Sequence, residues 1–150
     1  AVATWASAKN KALFESMKVF TPEETDARAE VMYEAYVTTL RVEGETLVHM
    51  INTGIVPACA KDLEKYKGFP KLAGARESLY EAVVAETEML RKILAAPHKE
   101  NLADESNYLC DKLKPQMQAV RDLVDMAEGL MEAGLYPYPT YEALLYSHHH

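Results

Sequence analysis

The sequence contains few of the residues that interrupt or cross-link a chain. Its 150 residues include only 6 glycines, 7 prolines and 2 cysteines. The cysteines, Cys59 and Cys110, do not form a CxxC pair, and a chain of this length does not need a disulfide to fold. We therefore expect two buried, unreactive thiols and a reducing compartment, which favours the cytoplasm.

Basic residues are also scarce, since 16 Lys and Arg stand against 23 Asp and Glu and give a net charge of -7. Binding to a phosphate backbone depends on clustered Lys and Arg, so a nucleic-acid partner is excluded. A helix that lies on a membrane surface needs a cationic polar face, which is missing, so we expect no membrane partner. The chain opens AVATWASAKN, without an initiator Met or an apolar signal segment. These features predict a segment of a longer chain, which the resemblance described below implies to be its C-terminal fragment.

Histidines that could bind a metal are few. His148–His150 form a terminal run of the kind added for purification, which leaves His49 and His98. Glu45 and His49 share a helix face, but a ferritin-type di-iron bundle needs two Glu-x-x-His motifs and two further glutamates. We therefore predict no metal site, and we find no catalytic or cofactor-binding residue.

Helix-forming residues make up most of the chain, and 49% of it is hydrophobic. This composition predicts one all-α domain over residues 1–147, with residues 148–150 as a tag remnant. A first helix is expected over residues 7–18. Its inner side is expected to carry Ala8, Ala12 or Leu13, and Met17.

A stronger helix start follows at "TPEE", where Thr21 is the predicted N-cap and Glu24 completes a capping box. An apolar stripe then runs to about Lys67 and predicts a helix of roughly 45 residues. Pro57 lacks the donor for the Thr53 carbonyl, so we expect a kink there and not a stop. The stripe consists of Met32, Tyr36, Leu40, Leu47, Met50 or Ile51, Gly54 or Ile55, and Ala58.

Two further long helices are predicted by the same spacing. One of about 25 residues stops before Pro97, and one runs from Leu102 and ends at Gly134 as its left-handed C′ residue. The last helix carries an internal proline, Pro115, which predicts a second kink. Together these elements predict an antiparallel up-and-down bundle of long, proline-kinked helices. Carboxylates near helix starts are expected to interact with the helix dipole, namely Glu23, Glu24, Asp26, Asp104 and Glu105.

The C-terminal segment LYPYPTYEALLY differs from the helices before it. Tyr136 and Tyr138 each precede a proline, which predicts an extended strip. Thr140 can cap a final turn over YEALLY, whose apolar residues need a surface to cover them. The strip either folds back over its own bundle or forms an interface with another domain or subunit. The predicted interface residues are Leu135, Tyr136, Pro137, Tyr138, Pro139 and Tyr141.

Three segments together resemble the C-terminal helical domain of type III glutamine synthetase. They are NKALFESMKVFTPEETDARAEVMYEAY, RVEGETLVHMINTGIVPACAKDL and CDKLKPQMQAVRDLVDMAEGLMEAGLYPYPTYEALLY. The family pattern has E-x-x-T, then I-x-P-A, then W-P-x-P-x-Y near the end. The counterparts here are Glu43, Thr46, Ile55, Pro57, Ala58, Tyr136, Pro137, Pro139 and Tyr141. This chain departs from the family at Tyr136, usually Trp, and at Gly44, usually Ala.

The resemblance implies a role without chemistry of its own. Glutamine synthetase makes glutamine from glutamate, ammonia and ATP, with a divalent metal such as Mg²⁺ held in an upstream β-rich catalytic domain. The resemblance therefore implies a non-catalytic assembly or regulatory domain, without a cofactor of its own. Its expected partners are the parent catalytic domain and neighbouring subunits of a homo-oligomer. The alternative is an autonomous helical bundle that binds a small ligand or metal between its kinked helices.

Overall fold

The computed structural model describes residues 1–140, which contain helices and no strand. The predicted all-α class is confirmed. None of the helices in this range is long and apolar enough to cross a membrane. The elements are α1 (Val2–Trp5), α2 (Ala8–Ser16), α3 (Pro22–Met50), a first π turn (Ile51–Ile55), α4 (Val56–Lys65), α5 (Pro70–Ala73), α6 (Arg76–Ala95), α7 (Leu102–Tyr108), a second π turn (Leu109–Leu113) and α8 (Lys114–Leu130).

The predicted capping box begins the longest helix. The backbone N–H of Thr21 donates to Glu24 Oε2 at 2.8 Å, and the N–H of Glu24 donates to Thr21 Oγ1 at 3.1 Å. Pro22 occupies the first helical position, where its missing N–H costs nothing. From there α3, the first π turn and α4 follow one another without a break to Lys65. The predicted length of this rod is confirmed.

Both predicted kinks are π-helical turns. In an α-helix an N–H bonds to the carbonyl four residues back. Here the N–H of Val56 reaches Ile51 O, and that of Lys114 reaches Leu109 O, five residues back in each case. The proline follows at the next residue in both rods. The sequence predicts the positions of the kinks, but the widened turn that absorbs each proline appears only in the structure.

Helix α6 runs antiparallel to α8. At the start of α6, Arg76 Nη2 donates to the carbonyl of Leu130 at the end of α8, over 2.8 Å. In the middle of α6, the Glu86 carbonyl accepts from Gln116 near the start of α8, over 3.0 Å. The start of α6 thus meets the end of α8, and the middle of α6 meets a position near the start of α8, as in an antiparallel pair of neighbouring helices.

Helix α6 is also antiparallel to the rod formed by α3 and α4. Arg41 Nη1 donates to the carbonyl of Leu94, late in α6, while Asp62 in α4 binds Arg76, at its start. One apolar core lies between three rods, which are α3 to α4, α6, and α7 to α8. Its fully buried members are Ile51, Ile55, Val83, Leu90, Leu109, Leu113, Val120 and Ala127.

Gly44 allows this close packing. A Cβ built on Gly44 would lie 3.0 Å from Leu94 Cδ2 and 3.4 Å from Leu113 Cδ1. In the sequence, Gly44 stands out only as a departure from the family pattern, which usually has Ala there. In the structure the missing side chain lets α3 approach α6 and the second π turn.

The N-terminal helix differs from its prediction in its buried face. The N-cap of α2 is Ser7, and two residues named for the inner side, Leu13 (as an alternative to Ala12) and Met17, are 50% and 64% exposed. An aromatic cluster of Trp5, Phe14 and Phe20 forms instead, with ring centroids 5.5–6.2 Å apart. Burying three large rings outweighs the aliphatic spacing on which the prediction rested.

The end of α8 also differs from its prediction. The helix ends at Leu130, and Met131 is already extended, with ψ of 150°. Gly134 has the expected positive φ of 85°, but it lies in a separate turn closed by a hydrogen bond from Leu135 N to Glu132 O at 3.0 Å. It occupies the third turn position, where a positive φ favours glycine.

Candidate functional site

The C-terminal segment that begins at Leu135, the tail, docks with its described residues 135–140 on the first π turn of its own bundle. The hydroxyl of Tyr138 donates to the carbonyl of Met50 at 2.9 Å. A Cβ built on Gly54, inside the π turn, would lie 2.6 Å from that hydroxyl oxygen, so the ring uses the space that glycine leaves. The Tyr136 ring packs edge-on against Tyr138, with centroids 6.2 Å apart. The described part of the tail therefore covers a kink in the longest rod.

The remaining tail residues divide into a covered and an open side. Leu135, Tyr136 and Tyr138 are half-buried, whereas Pro137 and Pro139 are exposed. Burial, with the nearby charges of Glu128 and Asp125, raises the pKa of Tyr136 to about 12. The predicted interface residue Tyr141, the final turn over YEALLY and the histidine run lie outside the described residues. An interface formed by this tail with another domain or subunit stays a prediction.

We expect the Tyr138→Phe variant to unfold with a free energy about 0.5–1.5 kcal/mol lower, because one hydrogen bond to Met50 is lost. In a Gly54→Ala background the new Cβ displaces the ring, so the same substitution should then cost little. Urea denaturation of the four proteins of this double-mutant cycle measures the coupling. Equal costs in both backgrounds would contradict docking of Tyr138 at Gly54.

A buried carboxylate joins α4 to α6. Asp62 is fully buried, and its Oδ2 accepts from Arg76 Nε at 3.0 Å and from the Tyr80 hydroxyl at 2.7 Å. Its Oδ1 has no hydrogen-bond partner among residues 1–140. Burial, the hydrogen bond to Asp62 and its negative charge raise the pKa of Tyr80. The sequence alone does not reveal this site, because a single Asp on a helix carries no periodic signal.

Arg76 extends the same network to the ends of two other helices. Its Nη1 donates to the carbonyls of Leu72 and Ala73 at the end of α5, and its Nη2 donates to Leu130 O at the end of α8. The guanidinium carbon also lies 4.4 Å from the ring centroid of Tyr66. One side chain thus fixes one end of the bundle.

A second buried carboxylate, Glu105, lies in the first turn of α7, as predicted for a carboxylate at a helix start, and it also pairs with Arg41. It is 3% exposed, and its Oε1 accepts from Arg41 Nε at 3.1 Å. Its Oε2 accepts from the backbone N–H of Lys99 at 2.7 Å, and His98 Nδ1 lies 3.4 Å from Oε1. Arg41 also binds the Leu94 carbonyl. Asp104 lies in the same first turn, and its Oδ2 accepts a hydrogen bond from the side chain of Asn101, the N-cap of α7.

The Glu105 network predicts a loss of stability in acid. Burial alone would raise its pKa, but hydrogen bonds from Arg41 and the Lys99 backbone, with the charges of Arg41 and His98, lower it. A lowered folded pKa stabilises the protein above the unfolded value of about 4.3, and that stability is lost as the pH falls through the folded pKa. Denaturation at a series of pH values should show that the unfolding free energy of Glu105→Gln falls less steeply in acid than that of the wild type. The same fall in both proteins would contradict this assignment.

The two cysteines lie in different surroundings. Cys59 is buried as predicted, and burial together with the charge of Asp62 raises its pKa to about 11, which makes the thiol a weak nucleophile. Cys110 is exposed, so its predicted burial is wrong. It lies one residue inside the second π turn, next to Tyr36, whose pKa is raised by burial and by the contact with this thiol.

The described residues offer grooves and no metal cluster. Within residues 1–140, no three His, Cys, Asp or Glu side chains lie close enough to bind one ion. His49, considered above with Glu45 as a possible metal ligand, is exposed. Its backbone carbonyl accepts a hydrogen bond from Thr53 Oγ1 at 2.7 Å. An open, mainly apolar groove of about 420 Å³ lies between α4 and α6, with Cys59 and Tyr80 in its wall.

Comparison with known proteins identifies the relatives of this chain. A family described as "Glutamine synthetase C-terminal domain" matches residues 1–67. The "Type-3 glutamine synthetase" of Dictyostelium discoideum is 24% identical over 161 aligned positions, which cover 93% of this chain and 22% of that protein. The chain is similar to the C-terminal domain of glutamine synthetase. The resemblance predicted from the sequence is thereby confirmed.

A second relative gives the same result. The "Glutamine synthetase" of Bacteroides fragilis (strain YCH46) is 19% identical over 160 positions, which cover 93% of this chain and again 22% of the relative. The chain therefore spans about a fifth of the length of the glutamine synthetases it matches.

Two of the segments on which the predicted resemblance rests lie close together in the structure. Ile55 and Ala58 of the I-x-P-A pattern are buried, and they flank Pro57 at the end of the first π turn. Tyr138, between the two tail prolines, docks on the same turn. The contact itself is made by Tyr138 and Gly54, which stand beside the pattern residues, so the two patterns border the place where the tail meets the kink. Glu43 and Thr46, of the E-x-x-T pattern, are exposed.

Proposed function

We propose that the chain is a non-catalytic assembly or regulatory domain of a cytoplasmic glutamine synthetase. One observation supports this best: both buried carboxylates of the described region are bound by arginines of their own bundle. Asp62 binds Arg76, and Glu105 binds Arg41. A carboxylate that works on a substrate or a metal must face it, whereas these two are committed to holding helices together.

The chemistry of the parent enzyme is assigned to other parts of the polypeptide. A glutamine synthetase joins glutamate and ammonia at the expense of ATP, and its phosphates and divalent metal, such as Mg²⁺, need arginines and free carboxylates. The arginines and carboxylates of the bundle interior are already paired. The partners of the domain are then the catalytic part of the same polypeptide and the neighbouring subunits of a homo-oligomer.

Ligand-dependent unfolding tests this proposal, because a ligand that binds the native state raises its stability. The isolated chain should unfold at the same urea midpoint with and without millimolar ATP and Mg²⁺, and it should show no glutamine formation. In the full glutamine synthetase polypeptide, removal of the domain should change the oligomeric state or the regulation of activity. A midpoint shift or turnover with the isolated chain would instead support an autonomous ligand-binding bundle.

A further inference from the structure

An apolar surface lies exposed where the chain passes from α2 into α3. Val19, Val31 and Met32 are 50%, 64% and 42% exposed, although each is a large apolar side chain. They border a groove of about 580 Å³. We call this the α2–α3 patch and define it by Val19, Phe20, Ala27, Arg28, Val31 and Met32.

The α2–α3 patch lies away from the face that α3 uses inside the bundle. The same stretch of α3 buries Thr25 and Ala29, and it is packed by α1 and α2. Val31 and Met32 point elsewhere, since they remain exposed after this packing. These apolar side chains line one groove and are not scattered singly, and grouped exposed apolar side chains rimmed by polar residues are typical of interaction sites.

Arg28 places a positive charge at the α2–α3 patch. Its guanidinium carbon lies 4.5 Å from the ring centroid of Phe20, which holds the planar group against the patch. Glu24, also in the groove, is committed to the capping box with Thr21. Arg28 forms no ion pair within residues 1–140. A carboxylate on a partner would form an ion pair with the Arg28 guanidinium.

We propose that the α2–α3 patch is the surface through which this domain docks on the rest of its own glutamine synthetase polypeptide, against an apolar surface that carries a carboxylate opposite Arg28. The inference rests on the proposed function. All six patch residues fall within residues 1–67, the part that matches the glutamine synthetase C-terminal domain. The relatives are matched over only 22% of their length, so most of each polypeptide lies outside the matched region and can supply the partner surface.

A matched pair of substitutions on one helix tests the docking surface. Val31 lies in the patch, and Val42, also on α3, is outside it and 55% exposed. In the isolated chain, Val31→Glu and Val42→Glu should both leave the unfolding midpoint nearly unchanged, because both positions already face water. In the full polypeptide only Val31→Glu should undock the domain, and it should speed proteolytic release of the domain at least about tenfold.

Three outcomes separate the possibilities. If the domain is protected in the full polypeptide but Val31→Glu and Val42→Glu release it equally slowly, the α2–α3 patch is not the docking surface, while the proposed function stands. If protease releases the wild-type domain from the full polypeptide as fast as it cuts a linker to an undocked domain, the domain does not dock at all. Both proposals then fail. If sedimentation shows that the isolated chain dimerises and Val31→Glu makes it monomeric, the occupant is a second copy and the proposed partner is wrong.

Discussion

The Arg76→Met variant is expected to lose about 3–5 kcal/mol of unfolding free energy, because it leaves a buried charge without its partner. Asp62 is fully buried, and without Arg76 its carboxylate keeps, among residues 1–140, only the hydrogen bond from the Tyr80 hydroxyl. The variant also loses the donors to the carbonyls that end α5 and α8. Methionine keeps much of the side-chain length, so the loss reports charge and hydrogen bonds more than volume. Urea denaturation followed by circular dichroism measures it.

Two comparisons isolate the buried charge as the cause. Arg91→Met removes an arginine that is 54% exposed and paired with Glu88 on the same helix, so it should cost less than about 0.5 kcal/mol. Asp62→Leu combined with Arg76→Met removes both charges and should be more stable than Arg76→Met alone. If the double variant were instead less stable than the single one, packing around Arg76 and not the uncompensated charge would explain the loss.

The helices of this chain were largely predictable because their signals are local. The capping box at Thr21 needs only residues three positions apart, and it begins α3 as predicted. Prolines at 57 and 115 mark the kinks for the same reason. The form of each kink was not predictable. A π turn exchanges hydrogen-bond partners along the backbone, and the buried residues that hold it in place come from other helices.

The interior polar pairs could not be predicted, because their partners are distant in sequence or unmarked by periodicity. Arg41 and Glu105 are 64 residues apart, and an apolar stripe says nothing about which charge enters the core beside it. The same limit explains Cys110, which was expected to be buried but is exposed. Tyr138 docks on Gly54 and so joins the helix kink to the extended tail. No local sequence pattern predicts a contact between these two segments.

The Leu113→Ala variant is expected to lose about 2–5 kcal/mol of unfolding free energy, the range for truncating a buried leucine. Leu113 is fully buried at the end of the second π turn, and its Cδ1 lies against the space left by Gly44. The cavity would open where α3, α6 and the π turn meet, and three packed rods cannot easily close it. Chemical denaturation measures the loss.

Leu72→Ala is the matched control, because that leucine is 65% exposed and should cost less than about 0.5 kcal/mol. Ile55→Ala should behave like Leu113→Ala, since Ile55 is buried at the equivalent end of the first π turn. A loss below about 1 kcal/mol at both positions would mean that the π turns readjust to fill the space. The kinks would then be pliable elements of the bundle.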